Sequence, residues 1–247
     1  MLRPFAILCI IGLLLASAAR AAEPQPGQQV AQTATVTVDR DGKPQQVELR
    51  YWLFLPQSYG AKNDKLPLML FLHGAGERGT DLEIVKKHGP PKLVAAQPDF
   101  RFIVVSPQCP KDTRWNSAEL LKLVEQVANT YRVDRQQMYV TGLSMGGSGT
   151  WSLLAEHPGT FAAGLPICGR GDVAHVEKLA KTHLWVAIGG KDKPDLVAEN
   201  KALVAAIEKA GGKIKFTFYP EAGHDSWTET YNNPAVYDWL LEQKNDH

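Results

Sequence analysis

Ser144, Asp192 and His224 are the residues of this sequence whose types and order fit one piece of chemistry. Ser144 is the centre of Gly142-Leu143-Ser144-Met145-Gly146, a Gly-x-Ser-x-Gly pentapeptide preceded by Gln137 to Thr141, which reads as a short buried strand. After it, Ser148 to Glu156 carries Trp151, Leu153, Leu154 and Ala155 before a stop at His157-Pro158-Gly159, the pattern of a helix and its end. A serine at a sharp strand-to-helix turn is a nucleophile elbow, with glycines on either side because a Cβ there would clash where strand and helix cross. Such a serine needs a base and a carboxylate to orient that base, often in the chain order Ser, Asp, His. Asp192 follows the apolar run His183 to Ile188 in Gly189-Gly190-Lys191-Asp192, and His224 follows Ile214 to Tyr219 in Pro220-Glu221-Ala222-Gly223-His224. All three therefore fall just past the carboxyl ends of expected strands, the edge where open parallel sheets bind ligands.

Acyl transfer also requires donors for a negatively charged tetrahedral oxygen. The amide of Met145, directly after the serine, supplies one. The other is expected in His73-Gly74-Ala75-Gly76-Glu77-Arg78-Gly79, after the strand Leu66 to Leu72, with Ala75 as the expected donor and Gly76 as the alternative. The same loop spells Gly74-x-Gly76-x-x-Gly79, so a dinucleotide-binding reading has to be weighed. It fails on position, because Asp99 precedes the strand Phe102 to Ser106 instead of ending it, and Gly89-Pro90-Pro91 is expected to interrupt the intervening helix.

The elements that must position these residues alternate along the chain. Thr33 to Arg40 and Gln46 to Leu55 flank Asp41-Gly42 and read as an antiparallel hairpin. Strands are then expected at Leu66 to Leu72, Phe102 to Ser106, Gln137 to Thr141, Phe161 to Ile167, His183 to Ile188 and Ile214 to Tyr219. Helices are expected at Ser117 to Tyr131, Val173 to Lys181, Leu196 to Ala210 and Ala235 to Gln243. This is α/β alternation around a mostly parallel central sheet with helices on both faces.

With 247 residues, 44% of them apolar, the chain is long enough for one α/β domain spanning 33–247. Met1-Leu2-Arg3, the apolar run Phe5 to Leu15 and Ala19-Arg20-Ala21 have the three parts of a secretory signal peptide, residues 1–21, and imply an exported, periplasmic or secreted protein. The run is too short for a stable membrane anchor. Residues 22–32, rich in Gln, Pro and Ala, read as a flexible leader. Removal of Arg3 and Arg20 takes the formal charge from +1 to −1, so net charge gives no case for nucleic acid as a partner. Seven histidines show neither His-x-x-x-His nor clustered Cys/His spacing, so no metal and no cofactor is expected. In the strand order usual for a fold of this kind, the strands before Cys109 and Cys168 lie three places apart, roughly 14 Å at about 4.8 Å per place, too far for a disulfide.

The chain resembles the α/β-hydrolases, and within them the secreted esterases grouped with phospholipase/carboxylesterase, feruloyl-esterase and polyhydroxybutyrate-depolymerase relatives, some labelled predicted peptidase. The matching pieces are His73-Gly74-Ala75-Gly76, Ser106-Pro107-Gln108-Cys109-Pro110 before Trp115, Thr141 to Gly147, Phe161-Ala162-Ala163 with Pro166-Ile167-Cys168-Gly169, and Gly223-His224-Asp225-Ser226-Trp227. The resemblance implies a serine esterase with Ser144, Asp192 and His224 as its triad and Ala75 and Met145 as its oxyanion donors. Members commonly have Val and Pro soon after the acid, whereas Lys193-Pro194-Asp195 follows here, which makes Asp195 a rival to Asp192.

The same machinery cleaves amides, so a serine peptidase is the enzymatic alternative, and a binding protein that has kept the fold without the chemistry is the third reading. Trp115 and Trp227 follow site-edge loops, where they either line a substrate pocket or pack beneath it. Glu77 and Arg78 either bind a polar substrate group or brace their loop, and His73 is expected to brace that loop. Only a short segment joins Ile167 to His183, which leaves no room for a large cap domain and implies an open site for ester substrates, polymer-attached ones included.

Overall fold

The structure, a computed structural model, describes residues 24–61 and 64–245. The segment expected to be a signal peptide, 1–21, lies outside the described residues. Among the described residues eight strands form one sheet in the order β1-β2-β4-β3-β5-β6-β7-β8. They are β1 (Gln29–Arg40), β2 (Lys43–Phe54), β3 (Leu66–Leu72), β4 (Ile103–Pro107), β5 (Val133–Leu143), β6 (Ala163–Ile167), β7 (His183–Gly189) and β8 (Ile214–Tyr219). β1 and β2 form the antiparallel hairpin, β2 pairs antiparallel with β4, and from β4 through β3 to β8 every pairing is parallel. This is the mostly parallel sheet that the alternation of elements implied, in the α/β-hydrolase arrangement that the resemblance implied.

The central strands read as continuous apolar runs because both of their faces are covered. Along β3, Leu68, Leu70 and Leu72 face one core while Met69 and Phe71 face the other, and in β5 Val140 and Tyr139 divide in the same way. All seven are fully buried, and each such aliphatic or aromatic side chain contributes about 1.5–3 kcal/mol relative to exposure. The helices that cover the sheet are α1 (Gly89–Leu93), α2 (Ser117–Thr130), α3 (Met145–Glu156), α4 (Val176–Leu179), α5 (Pro194–Lys209), α6 (Trp227–Asn232) and α7 (Pro234–Glu242). In α2 the buried positions Leu120, Leu123, Val124 and Val127 recur at helical spacing, and the Asn116 side chain caps the first turn by accepting from the Glu119 amide.

Three local expectations are revised. Strand β1 begins at Gln29, inside the stretch expected to be leader, because its residues pair in register with β2 from Gln29↔Phe54 onward. Gly89-Pro90-Pro91 opens α1 instead of interrupting a helix, since proline is tolerated in a first turn where its missing N–H has no partner to lose. Helix α3 starts at Met145, three residues ahead of the expected Ser148, with consequences for the site. Between β6 and β7 there is only a 3₁₀ turn at Val173–His175 and the one-turn α4, so the expected absence of a large cap holds. Among the described residues no helix is long and apolar enough to cross a membrane.

Candidate active site

Ser144 stands between β5 and α3 with φ 54° and ψ −114°, a strained conformation for a residue with a side chain. The strain is held by close packing around it. A Cβ on Gly146 would lie 1.9 Å from the carbonyl oxygen of Leu72, so only glycine lets α3 start directly against the end of β3. The Ser144 amide donates to the Ile167 carbonyl at the end of β6 (2.9 Å), which ties the turn to the neighbouring strand. The serine oxygen is therefore placed by backbone contacts.

A second pair of loops brings Asp192 and His224 together. Gly190 N–H donates to Tyr219 O (2.7 Å) and Lys191 N–H to Ala222 O (2.9 Å), fastening the turn after β7 to the loop after β8. A Cβ on Gly189 would meet the Gly223 carbonyl oxygen at 1.9 Å, so this approach too requires glycine. As a result Asp192 Oδ2 lies 2.7 Å from His224 Nδ1, and His224 Nε2 lies 2.9 Å from Ser144 Oγ. The carboxylate is almost wholly enclosed, 2% exposed, while the imidazole is 46% exposed and faces the solvent-filled cleft. Asp192 Oδ1 accepts from the Lys193 amide (2.7 Å), which fixes the carboxylate plane. With Nδ1–H donating to the carboxylate, Nε2 is left as an acceptor for the Ser144 hydroxyl, the tautomer that lets it take a proton.

The rival acid is elsewhere. Asp195 sits in the first turn of α5, its side chain 61% exposed and paired with Arg170, whose guanidinium holds the carboxyl below its ordinary value. It does not reach His224.

Met145 and Ala75 each occupy the first position of a helix, Met145 in α3 and Ala75 in a 3₁₀ turn at Ala75–Glu77. Amides there have no intrahelical acceptor, and among the described residues neither donates elsewhere. Both residues line the cleft with Ser144. Gly76 does not line it.

His73 braces this loop as expected. It is fully buried, its Nδ1 lies 2.6 Å from Gly74 O, and its Nε2 accepts from the Cys109 amide (2.9 Å), joining the loop after β3 to the loop after β4. Burial pulls its pKa down from 6.5 to about 4, so the ring is neutral at neutral pH. Glu77 is buried and lies 3.8 Å from His88, whereas Arg78 donates to the carbonyls of Ala75 (3.0 Å) and Thr113 (3.1 Å) and lines the cleft.

The cleft above Ser144 has a volume of about 600 Å³, and neither Trp115 nor Trp227 lines it. Trp115 lies edge-on to His73 with ring centroids 4.7 Å apart, and its indole N–H donates to the His73 carbonyl, so it packs under the loop after β3. Trp227 stands edge-on to His224 at 5.5 Å and to His88 at 5.5 Å, behind the imidazole. Of the two roles open to each indole, packing is the one that these ring contacts fit. Arg114 and Arg170 do line the cleft, and no motif in the sequence marks them.

Cys168 is buried at the wall of the cleft it shares with Ser144, and burial pushes its thiol up to about 12. Cys109 and Cys168 are both free, and they follow β4 and β6, three places apart in the sheet. Among the described residues no three His, Cys, Asp or Glu side chains are grouped to hold a metal ion.

A family model described as "Esterase: Putative esterase" matches residues 46–233. Among solved structures, a thermostable esterase is 32% identical with a TM-score of 0.70 over 86% of this chain, and the match spans 63% of that longer chain. A ferulic acid esterase is 22% identical with a TM-score of 0.56, covering 86% of this chain and 97% of its own. The acylaminoacyl peptidase of Pyrococcus horikoshii is 13% identical with a TM-score of 0.64, covering 88% of this chain and 42% of its own. At those lower identities the likeness is one of fold. Among curated proteins, none matches in sequence.

Proposed function

Because the chain belongs to the Esterase family, we propose that it is a serine hydrolase cleaving carboxylic esters through Ser144, His224 and Asp192. The observation that carries the reading is the continuous relay Ser144 Oγ, His224 Nε2, His224 Nδ1, Asp192 Oδ2, with links of 2.9 and 2.7 Å. As Ser144 Oγ attacks the ester carbonyl carbon, His224 takes its proton at Nε2. Asp192 holds the ring and stabilises the imidazolium without itself taking the proton. The carbonyl oxygen becomes an oxyanion beside the Ala75 and Met145 amides, each worth about 3 kcal/mol by analogy with other oxyanion donors.

Collapse of that intermediate breaks the bond to the alcohol oxygen, which receives the proton from His224 and departs. A water then attacks the acyl-enzyme as His224 removes its proton, and the carboxylic acid leaves as Ser144 regains its hydrogen. No step calls for a cofactor. The reading includes export, on the strength of residues 1–21, and an open cleft that admits esters attached to bulky or polymeric chains.

The test is hydrolysis of p-nitrophenyl acetate, butyrate and octanoate, methyl ferulate, acetylated xylan and a peptide anilide by the wild-type and Ser144→Ala proteins. Ester turnover by the wild type, with kcat lower by about 10⁴ in a folded Ser144→Ala protein, is expected. Near-normal turnover by that variant would remove the serine from the mechanism.

A further inference from the structure

The side chains around the cleft are not a sample of the whole surface. The chain holds 27 Lys and Arg against 26 Asp and Glu, yet five cations, Arg78, Arg114, Arg170, Lys191 and Lys193, line the cleft against a single carboxylate, Asp192. That carboxylate is already engaged by His224 and by the Lys193 amide. The cations come from loops after β3, β4, β6 and β7, so in the sheet they flank Ser144, which follows β5, on both sides.

Two of the five are neutralised nearby. Arg170 pairs with Asp195 and Glu199, and Lys191 with Glu221 at 2.6 Å. The other three are not. Among the described residues Arg78 donates to the carbonyls of Ala75 and Thr113 and has no ion-pair partner, and the exposed side chains of Arg114 and Lys193 have none either. Uncompensated like charges around one concavity repel each other, and the potential they create gathers anions and raises their rate of encounter by about tenfold or more. A guanidinium also offers a carboxylate a planar pair of donors that a neutral hydroxyl-bearing substrate leaves unused.

We infer that the preferred substrates are esters that carry a carboxylate on the acyl or the alcohol portion, held near Arg78, Arg114 and Lys193 while the ester carbonyl lies at Ser144. The inference rests on the ester-hydrolase reading of this site. Cations on both sides of the nucleophile suit an acidic chain whose charges extend to either side of the scissile bond.

The test compares two pairs of esters that differ only in charge: p-nitrophenyl monoadipate with its methyl ester, and 4-acetoxyphenylacetate with its methyl ester. In at least one pair the charged member is expected to have about tenfold higher kcat/KM at low ionic strength. That ratio should fall toward one in the exposed double variant Arg114→Gln/Lys193→Gln, and likewise in about 0.5 M NaCl, where screening shortens the reach of the charges to a few ångströms. A ratio of one or less in both pairs, or a ratio untouched by the double variant, overturns the inference. Neutral esters turned over through Ser144 with no preference for charge would sink this inference alone. Neutral esters left uncleaved, or cleaved equally by Ser144→Ala, would sink the parent reading with it.

Discussion

On the floor of the cleft the proposed reacting groups are set by backbone, and on its rim the charged groups are carried by long exposed side chains. Ser144 is locked by contacts of Gly146 with Leu72 and by the bond from its own amide to Ile167. Asp192 and His224 are locked by the seam of Gly189, Gly190 and Lys191 against the loop from Tyr219 to Gly223. Arg114 and Lys193, by contrast, project from separate loops into solvent. The difference separates two tasks. Bond-making chemistry needs reacting atoms placed to within a fraction of an ångström, whereas a field that gathers charged substrate tolerates mobile side chains.

The sharpest way to break this comparison is at Asp192. Asp192→Asn should lower kcat by about 10⁴, roughly 5 kcal/mol of barrier, with little change in unfolding, because asparagine keeps the shape but favours the wrong imidazole tautomer. Asp195→Asn should stay within a few-fold of wild type, since it removes only an exposed pair with Arg170. Steady-state kinetics on a neutral ester decide between them, and an inactive Asp195→Asn beside an active Asp192→Asn would exchange the assignments.

Next in size is Gly146→Ala. A methyl group 1.9 Å from the Leu72 carbonyl cannot be accommodated without moving α3 off β3, and a loss of about 4 kcal/mol or more is expected in urea unfolding, together with activity. A variant as stable as wild type would mean that the floor is softer than its contacts imply.

His73 gives a third test, of about 3 kcal/mol, from a shift of 6.5 to about 4. Its folded pKa is depressed, so between those values the unfolded chain binds a proton that the native ring refuses, and stability rises with pH. The contribution is complete above about pH 6.5 and is lost as pH falls through about 4. Urea unfolding from pH 7.5 to 4 should therefore be steeper in pH for wild type than for His73→Gln. Equal slopes would show that the ring titrates normally.

The smallest effect is expected at Trp227, whose edge-on contact with His224 spans 5.5 Å. Aromatic pairs of this kind are worth about 0.5–1.5 kcal/mol, so Trp227→Leu should reduce kcat by about tenfold at most and leave KM for a neutral ester nearly unchanged. A large rise in KM would instead place the indole in substrate binding.

The floor was legible in the sequence because its residues sit in short local patterns. Gly142 to Gly146 specifies an elbow, and Asp192 and His224 each follow a recognisable strand end within a few residues. The rim was not, since its cations converge from four loops that only the folded sheet brings together. Trp115 and Trp227 were ambiguous for a related reason: a tryptophan after a loop packs or lines according to the path of that loop, and here His73 and His224 supply the partners. Gly89-Pro90-Pro91 was misplaced because proline stops a helix from within but suits its first turn. Strand β1 extends back to Gln29 through Val30, Ala31 and Gln32, a stretch of an edge strand in which no residue is fully buried, so alternation is faint and pairing with β2 decides the boundary.

The central claim, that Ser144 is a nucleophile activated by His224, is tested most directly by mass spectrometry after treatment with a fluorophosphonate. The account predicts one adduct per chain on the peptide containing Ser144, formed rapidly by the wild type and absent or very slow in a folded His224→Ala protein. An adduct on another residue, or none at Ser144 in a preparation that hydrolyses esters, would contradict it.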